Sequence, residues 1–131
     1  MTNDLILIIE DNEKNRKLER DVLQFHGYRT MEAETGEDGV RLARELMPVL
    51  VLMDIQLPGI SGIEALRQLR AAAETQSIAV MAVTASAMTQ DRQTIMAAGF
   101  DGYLSKPISL KEFVAAVRAL LDRGPDRERA T

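Results

Sequence analysis

VLVLMDIQLPGISG, residues 49–62, decides how the rest of the chain is read. Val49, Leu50, Val51, Leu52 and Met53 are apolar at every position, the pattern of a strand buried on both faces. The run ends on Asp54, which this reading puts at the C-terminal mouth of a central strand. Open α/β sheets bind their ligands there, outside the carboxyl ends of the strands. Pro58-Gly59 turns the chain, and Ser61-x-x-Glu64 caps the helix that follows.

Working outward, Leu5 to Ile9 (LILII) forms a second all-apolar strand, and it too ends on carboxylates, Glu10 and Asp11. The next stretch, from about Glu13 to His26, reads as a helix with Leu18, Val22 and Phe25 as its inward stripe and Gly27 just past its end. Tyr28 to Ala33 alternates polar and apolar residues, as an edge strand does. Thr35-x-x-Asp38 starts a helix with Val40, Ala43 and Met47 facing inward, and Pro48 stops it. After the central strand comes a helix from about Gly62 to Ala73, with Ile63, Leu66 and Leu69 inward. Ile78 to Val83 is a third all-apolar strand, and it runs out onto Thr84. A helix from about Ala87 to Ala98 closes at Gly99. A short strand, Gly102 to Ser105, leads to Lys106-Pro107. Ser109-x-x-Glu112 caps a last helix carrying Leu110, Phe113, Val117, Leu120 and Leu121. Five strands alternating with five helices predict an α/β fold with a parallel sheet covered on both faces.

At 131 residues the chain is one domain's worth. The expectation is a single domain over residues 1–123, a short polar tail at 124–131, and no output domain. A net charge of −4 speaks against a nucleic-acid footprint, which needs a clustered basic face. No cysteine is present, so disulfide and thiol chemistry are excluded. The N-terminal apolar run is too short for a signal peptide or a membrane span, so a cytoplasmic location without membrane association is expected.

Four of the strands run out into polar residues of particular kinds: Glu10 and Asp11, Asp54, Thr84, and Lys106. Parallel strands all end on one side, so these residues should converge. Packed carboxylates repel one another and raise at least one pKa unless a cation neutralises them. Oxygen ligands suit a hard divalent cation such as Mg²⁺, which takes one or two carboxylates and shares a phosphate. Lys106 and the Thr84 hydroxyl then remain to meet an anion, which is the equipment of phosphoryl transfer.

The blocks IIEDN, VLMDIQLPGISG, VTASAM and YLSKPIS resemble, in order and spacing, the signature blocks of response-regulator receiver domains. The similarity runs from about Asp4 to Leu121, and small single-domain regulators of the DivK type are the nearest subgroup. The resemblance implies a flavodoxin-like (βα)5 sandwich with strand order 2-1-3-4-5. It implies that Asp54 accepts a phosphoryl group from a histidine kinase or histidine phosphotransfer protein. It further implies Mg²⁺ (or Mn²⁺) held by Asp11, Asp54 and the main-chain carbonyl of Gln56, with Glu10 acting through a water. Lys106 and Thr84 would stabilise the phosphoryl group, Thr84 and Tyr103 would form the switch, and the bond before Pro107 would be cis. The donor would dock at Asn15, Leu18 and Pro107. A downstream protein target would meet the face of the fourth helix, fifth strand and fifth helix, beside Met88. Gly102 stands where many DNA-binding regulators carry a second acid after Asp101, so a monomer is expected.

Two other readings compete. A Mg²⁺-dependent phosphohydrolase could use Asp54 as nucleophile, but such enzymes need a second acid two residues on, where this chain has Gln56. A phosphorylation-independent pseudo-receiver would not need the full acidic set. On the leading reading the protein is not an enzyme beyond taking its own phosphoryl group and losing it.

Overall fold

The computed structural model describes residues 4–85 and 89–123, with the side chains of 89–91 and 123 outside the description; Met88 and the tail from 124 therefore lie outside the described residues. The elements run β1 (Leu5–Ile9), α1 (Glu13–Phe25), β2 (Arg29–Ala33), α2 (Gly36–Leu46), β3 (Leu50–Asp54), α3 (Gly62–Ala71), β4 (Ala79–Thr84), α4 (Thr89–Ala97), β5 (Gly102–Ser105) and α5 (Leu110–Arg123). All strand pairs are parallel, and the sheet order is β2-β1-β3-β4-β5. This is the flavodoxin-like order that the resemblance implied.

The all-apolar strands feed two cores at once. Leu7, Ile9, Val51, Met53, Val80 and Ala82 point to one face, where Val40 and Ala43 of α2, Leu66 and Leu69 of α3 and Ile95 of α4 cover them. Ile6, Ile8, Leu50, Leu52, Met81 and Val83 point to the other, beneath Leu23 of α1 and Phe113, Val117 and Leu120 of α5. Each large side chain buried in this way contributes roughly 1.5–3 kcal/mol. Helix starts are fixed by side-chain caps. Asn12 accepts from Asn15 N (3.0 Å), Thr35 from Asp38 N (3.1 Å) and Ser61 from Glu64 N (3.2 Å).

Four apolar residues expected inside are at the surface. The inward stripe of α1 is Glu19 and Leu23, whereas Leu18 and especially Phe25, 85% exposed, face outward. Val22 is half-buried against the core, as expected, and with Phe25 it also lines an open groove of about 670 Å³ shared with Leu110 and Val114 of α5. Leu110 is exposed because it opens α5, a turn before Val114 and ahead of the buried Phe113. Met47 is exposed because the chain turns there into a left-handed conformation, φ 50°, which ends α2 before Pro48.

Candidate functional site

Strand register assembles the site. Ile9 lies opposite Met53 and Asp54 opposite Val83, so the next residue of β1, Glu10, falls beside Asp54 at the sheet edge. Thr84 ends β4 opposite Ser105, and Lys106 follows one residue later. Lys106 N donates to Thr84 O at 2.8 Å, which ties the lysine to the end of β4 through the backbone. The Lys106–Pro107 peptide is cis.

The lysine bridges two carboxylates. Its Nζ lies 2.9 Å from Glu10 Oε1 and 3.2 Å from Asp54 Oδ2. Gln56 N donates to Asp54 Oδ1 at 3.1 Å, and Asn12 N donates to Glu10 Oε2 at 3.1 Å. Glu10, Asp54 and Thr84 are buried, while Asp11 and Gln56 are exposed at the mouth. Burial pushes the Glu10 carboxyl above its ordinary value, against the Lys106 ammonium and the hydrogen bond from Asn12 N, and the Asp54 charge adds to the rise. At Lys106 burial works against the charge, but Glu10 and Asp54 outweigh it and hold the ammonium above its usual range. The lysine therefore stays charged throughout the neutral range.

One ammonium does not neutralise three acids. A carboxylate oxygen from each of Glu10, Asp11 and Asp54 can be chosen so that all lie within 4.8 Å of one another. The donors are all oxygens, as Mg²⁺ prefers. Glu10 Oε1 is buried and meets Lys106 as an ion pair, without a hydrogen bond of good geometry, so it keeps accepting capacity. These residues fit a hard divalent cation.

The loop after Asp54 is held from below and from the side. A Cβ added to Gly62 would stand 2.4 Å from Asp54 O, so only glycine lets α3 start against the backbone of Asp54. Glu37 Oε2 of α2 accepts from Ile60 N at 3.2 Å. Farther along the edge, Tyr103 is half-buried on β5, and the Arg92 guanidinium carbon stands 5.5 Å from its ring centroid in a cation–π contact. Asn15 and Leu18 lie on α1, half-buried and exposed respectively.

Sequence reasoning missed two residues. Glu19 is buried on the inner face of α1, and its Oε2 has no hydrogen-bond partner. Burial, and then the charges of Glu10 and Asp54, push its carboxyl up to about 8 against the opposing charge of Lys106. It is accordingly a neutral acid at pH 7. Arg16 reaches back from α1 to the carbonyls of Glu10 (3.0 Å) and Asp11 (3.4 Å). No motif marks either residue; the spacing of Glu19 four positions before Leu23 was the available signal for the first.

Known proteins share this sequence pattern and this fold. The profile of the response regulator receiver domain matches residues 6–118. The polar-differentiation response regulator DivK of Brucella ovis is 44% identical over 116 residues, 88% of this chain and 94% of that protein. The receiver domain of a sensor histidine kinase from Pseudomonas aeruginosa, crystallised with a magnesium ion coordinated in its active-site cleft, superposes with a TM-score of 0.86 at 30% identity, covering 92% of this chain and 99% of that one. A response regulator from Chloroflexus aurantiacus, described there as putative, gives 0.89 at 26% identity, covering 93% and 100%. Among the described residues no helix is long and apolar enough to cross a membrane.

Proposed function

Because the chain belongs to the response regulator receiver domain family, the phosphorylation-accepting modules of two-component signalling, we propose that Asp54 is its acceptor and that the donor is a phosphohistidine. The observation that carries this reading is Lys106 bridging Glu10 and Asp54 at the mouth of the sheet, 2.9 and 3.2 Å from their oxygens. An Asp54 oxygen attacks phosphorus as the histidine N–P bond breaks, and the imidazole leaves with that electron pair. Little covalent work falls to the protein, so positioning and charge neutralisation do most of it. Gln56 N holds Oδ1 of the nucleophile by a hydrogen bond, and Lys106 meets the arriving phosphoryl oxygens.

Asp11, Asp54 and the Gln56 carbonyl would hold Mg²⁺ (Mn²⁺ would serve as well), with Glu10 acting through a water. When bound, the ion neutralises the carboxylates and the incoming phosphoryl oxygens. Thr84 and Tyr103 form the switch: the hydroxyl at the end of β4 follows the phosphoryl group, and the ring on β5 follows the hydroxyl. The output is a protein surface made by α4, β5 and α5, presented by a monomer.

Incubation with acetyl phosphate, read by intact mass, tests the reading. One phosphoryl group should be incorporated with Mg²⁺, and none with chelator or in Asp54→Asn. Incorporation that survives both changes would remove Asp54 from its role.

A further inference from the structure

We propose that Arg16 is a positioning residue for the phosphoryl site, fixing the backbone from which Asp11 presents its carboxylate to the cation; this rests on the assignment of Asp11 and Asp54 above. Arg16 stands in the first turn of α1, its own N–H donating to Asn12 O at 2.9 Å. From there the side chain folds back over the β1–α1 junction and is only 14% exposed. Nη1 donates to Glu10 O at 3.0 Å and reaches Asp11 O at 3.4 Å. On its outer side Nε donates to Glu32 Oε1 at 3.2 Å, and Nη2 lies 3.8 Å from Glu34 Oε2. Glu32 is itself gripped by Arg20 Nη1 at 3.1 Å. The planar guanidinium thus joins two carbonyls of the acidic loop to a fixed acid on β2.

Charge and geometry can be separated here. The positive charge of Arg16 is matched by Glu32 and Glu34, so it does little to neutralise the carboxylates across the loop. What the guanidinium supplies is a fork: several N–H donors in one rigid plane, which a lysine ammonium cannot reproduce. Glu10 has further anchors in Asn12 N and Lys106. Asp11 is exposed, and the direction of its carboxylate follows from the backbone that Arg16 holds. Losing a group that orients a metal ligand typically costs about 10–100-fold in metal affinity or activity.

The test is calorimetric titration of the unphosphorylated protein with Mg²⁺, alongside acetyl-phosphate labelling across Mg²⁺ concentrations. Arg16→Lys and Arg16→Met should both need roughly tenfold more Mg²⁺ for half-saturation. At saturating Mg²⁺ their labelling rates should approach that of the wild type. Glu32→Gln, which leaves the guanidinium but loosens its anchor, should shift the titration in the same direction by less. Wild-type affinity in Arg16→Lys would show that charge alone matters and overturn the proposal. So would unchanged Mg²⁺ affinity with a lower saturating rate, the pattern of a merely structural tie. A wild-type protein that neither binds Mg²⁺ nor labels Asp54 would instead refute the assignment of the site itself, whatever the variants do.

Discussion

Replacing Glu19 by glutamine should make the protein more stable, and increasingly so as the pH rises. A glutamate in the unfolded chain ionises near its ordinary value of 4.5, whereas in the folded protein burial, reinforced by Glu10 and Asp54, holds Glu19 protonated up to about 8. Between those values the folded state carries one proton more than the unfolded state, so folding stability falls as pH rises. Each pH unit in that window removes about 1.36 kcal/mol. The loss begins near pH 4.5, reaches about 3 kcal/mol at pH 7, and levels off at about 4–5 kcal/mol above pH 8. For a domain whose stability is about 5–15 kcal/mol, that is a large fraction. Glutamine has the same shape and never ionises, so Glu19→Gln should abolish this slope. Urea denaturation of both proteins at pH 5, 7 and 9 gives the difference directly, with the titrations of all other groups largely common to the two. The variant should match the wild type to within about 1 kcal/mol at pH 5 and exceed it by several at pH 9. A difference that stays flat from pH 5 to 9 would mean that Glu19 is solvated or paired, and the account of α1 as burying a neutral acid would be wrong.

Two further outcomes follow from the site. Thr84→Ala should still be labelled on Asp54 but gain little target affinity on binding a beryllofluoride mimic, since losing a hydrogen bond to a charged group removes roughly 1.5–3 kcal/mol of bias, about tenfold or more in population; a full response in the variant would dismiss Thr84 as the coupling residue. Leu18→Asp, on the exposed shoulder of α1, should slow transfer from a phosphohistidine protein while leaving acetyl-phosphate labelling near that of the wild type, and equal loss of both would show that the substitution damages the fold rather than the docking surface.

The central strands were legible because burial on both faces leaves them no polar position: Leu50 to Met53 and Ala79 to Val83 are unbroken apolar runs of strand length. Asp54, Glu10 and Lys106 were legible because a polar residue at the end of such a run stands out, and parallel topology carries each to the same edge. Helix α1 was misread because it offers two stripes. Leu18, Val22 and Phe25 form the more apolar one, yet only Val22 packs against the core while Leu18 and Phe25 are exposed, and the helix turns Glu19 and Leu23 fully inward. A rule that sends charges outward cannot find a buried carboxyl that stays neutral. Arg16 was hidden for a different reason. Its inner partners are main-chain carbonyls, and any residue could have supplied them.

The sheet is packed solid on both sides, with the side chains of β1, β3 and β4 interlocked with helices above and below. A close-packed interior resists compression and has no spare room in which to slide. It therefore serves as a chassis, and on the proposed reading the message of a phosphoryl group passes around the rim of the sheet rather than through it. This arrangement separates two kinds of inheritance. On the proposed reading, the outer faces of α4 and α5 could be rewritten for a new listener without recutting the carboxylates at the mouth, and the chemistry retuned without disturbing the listener.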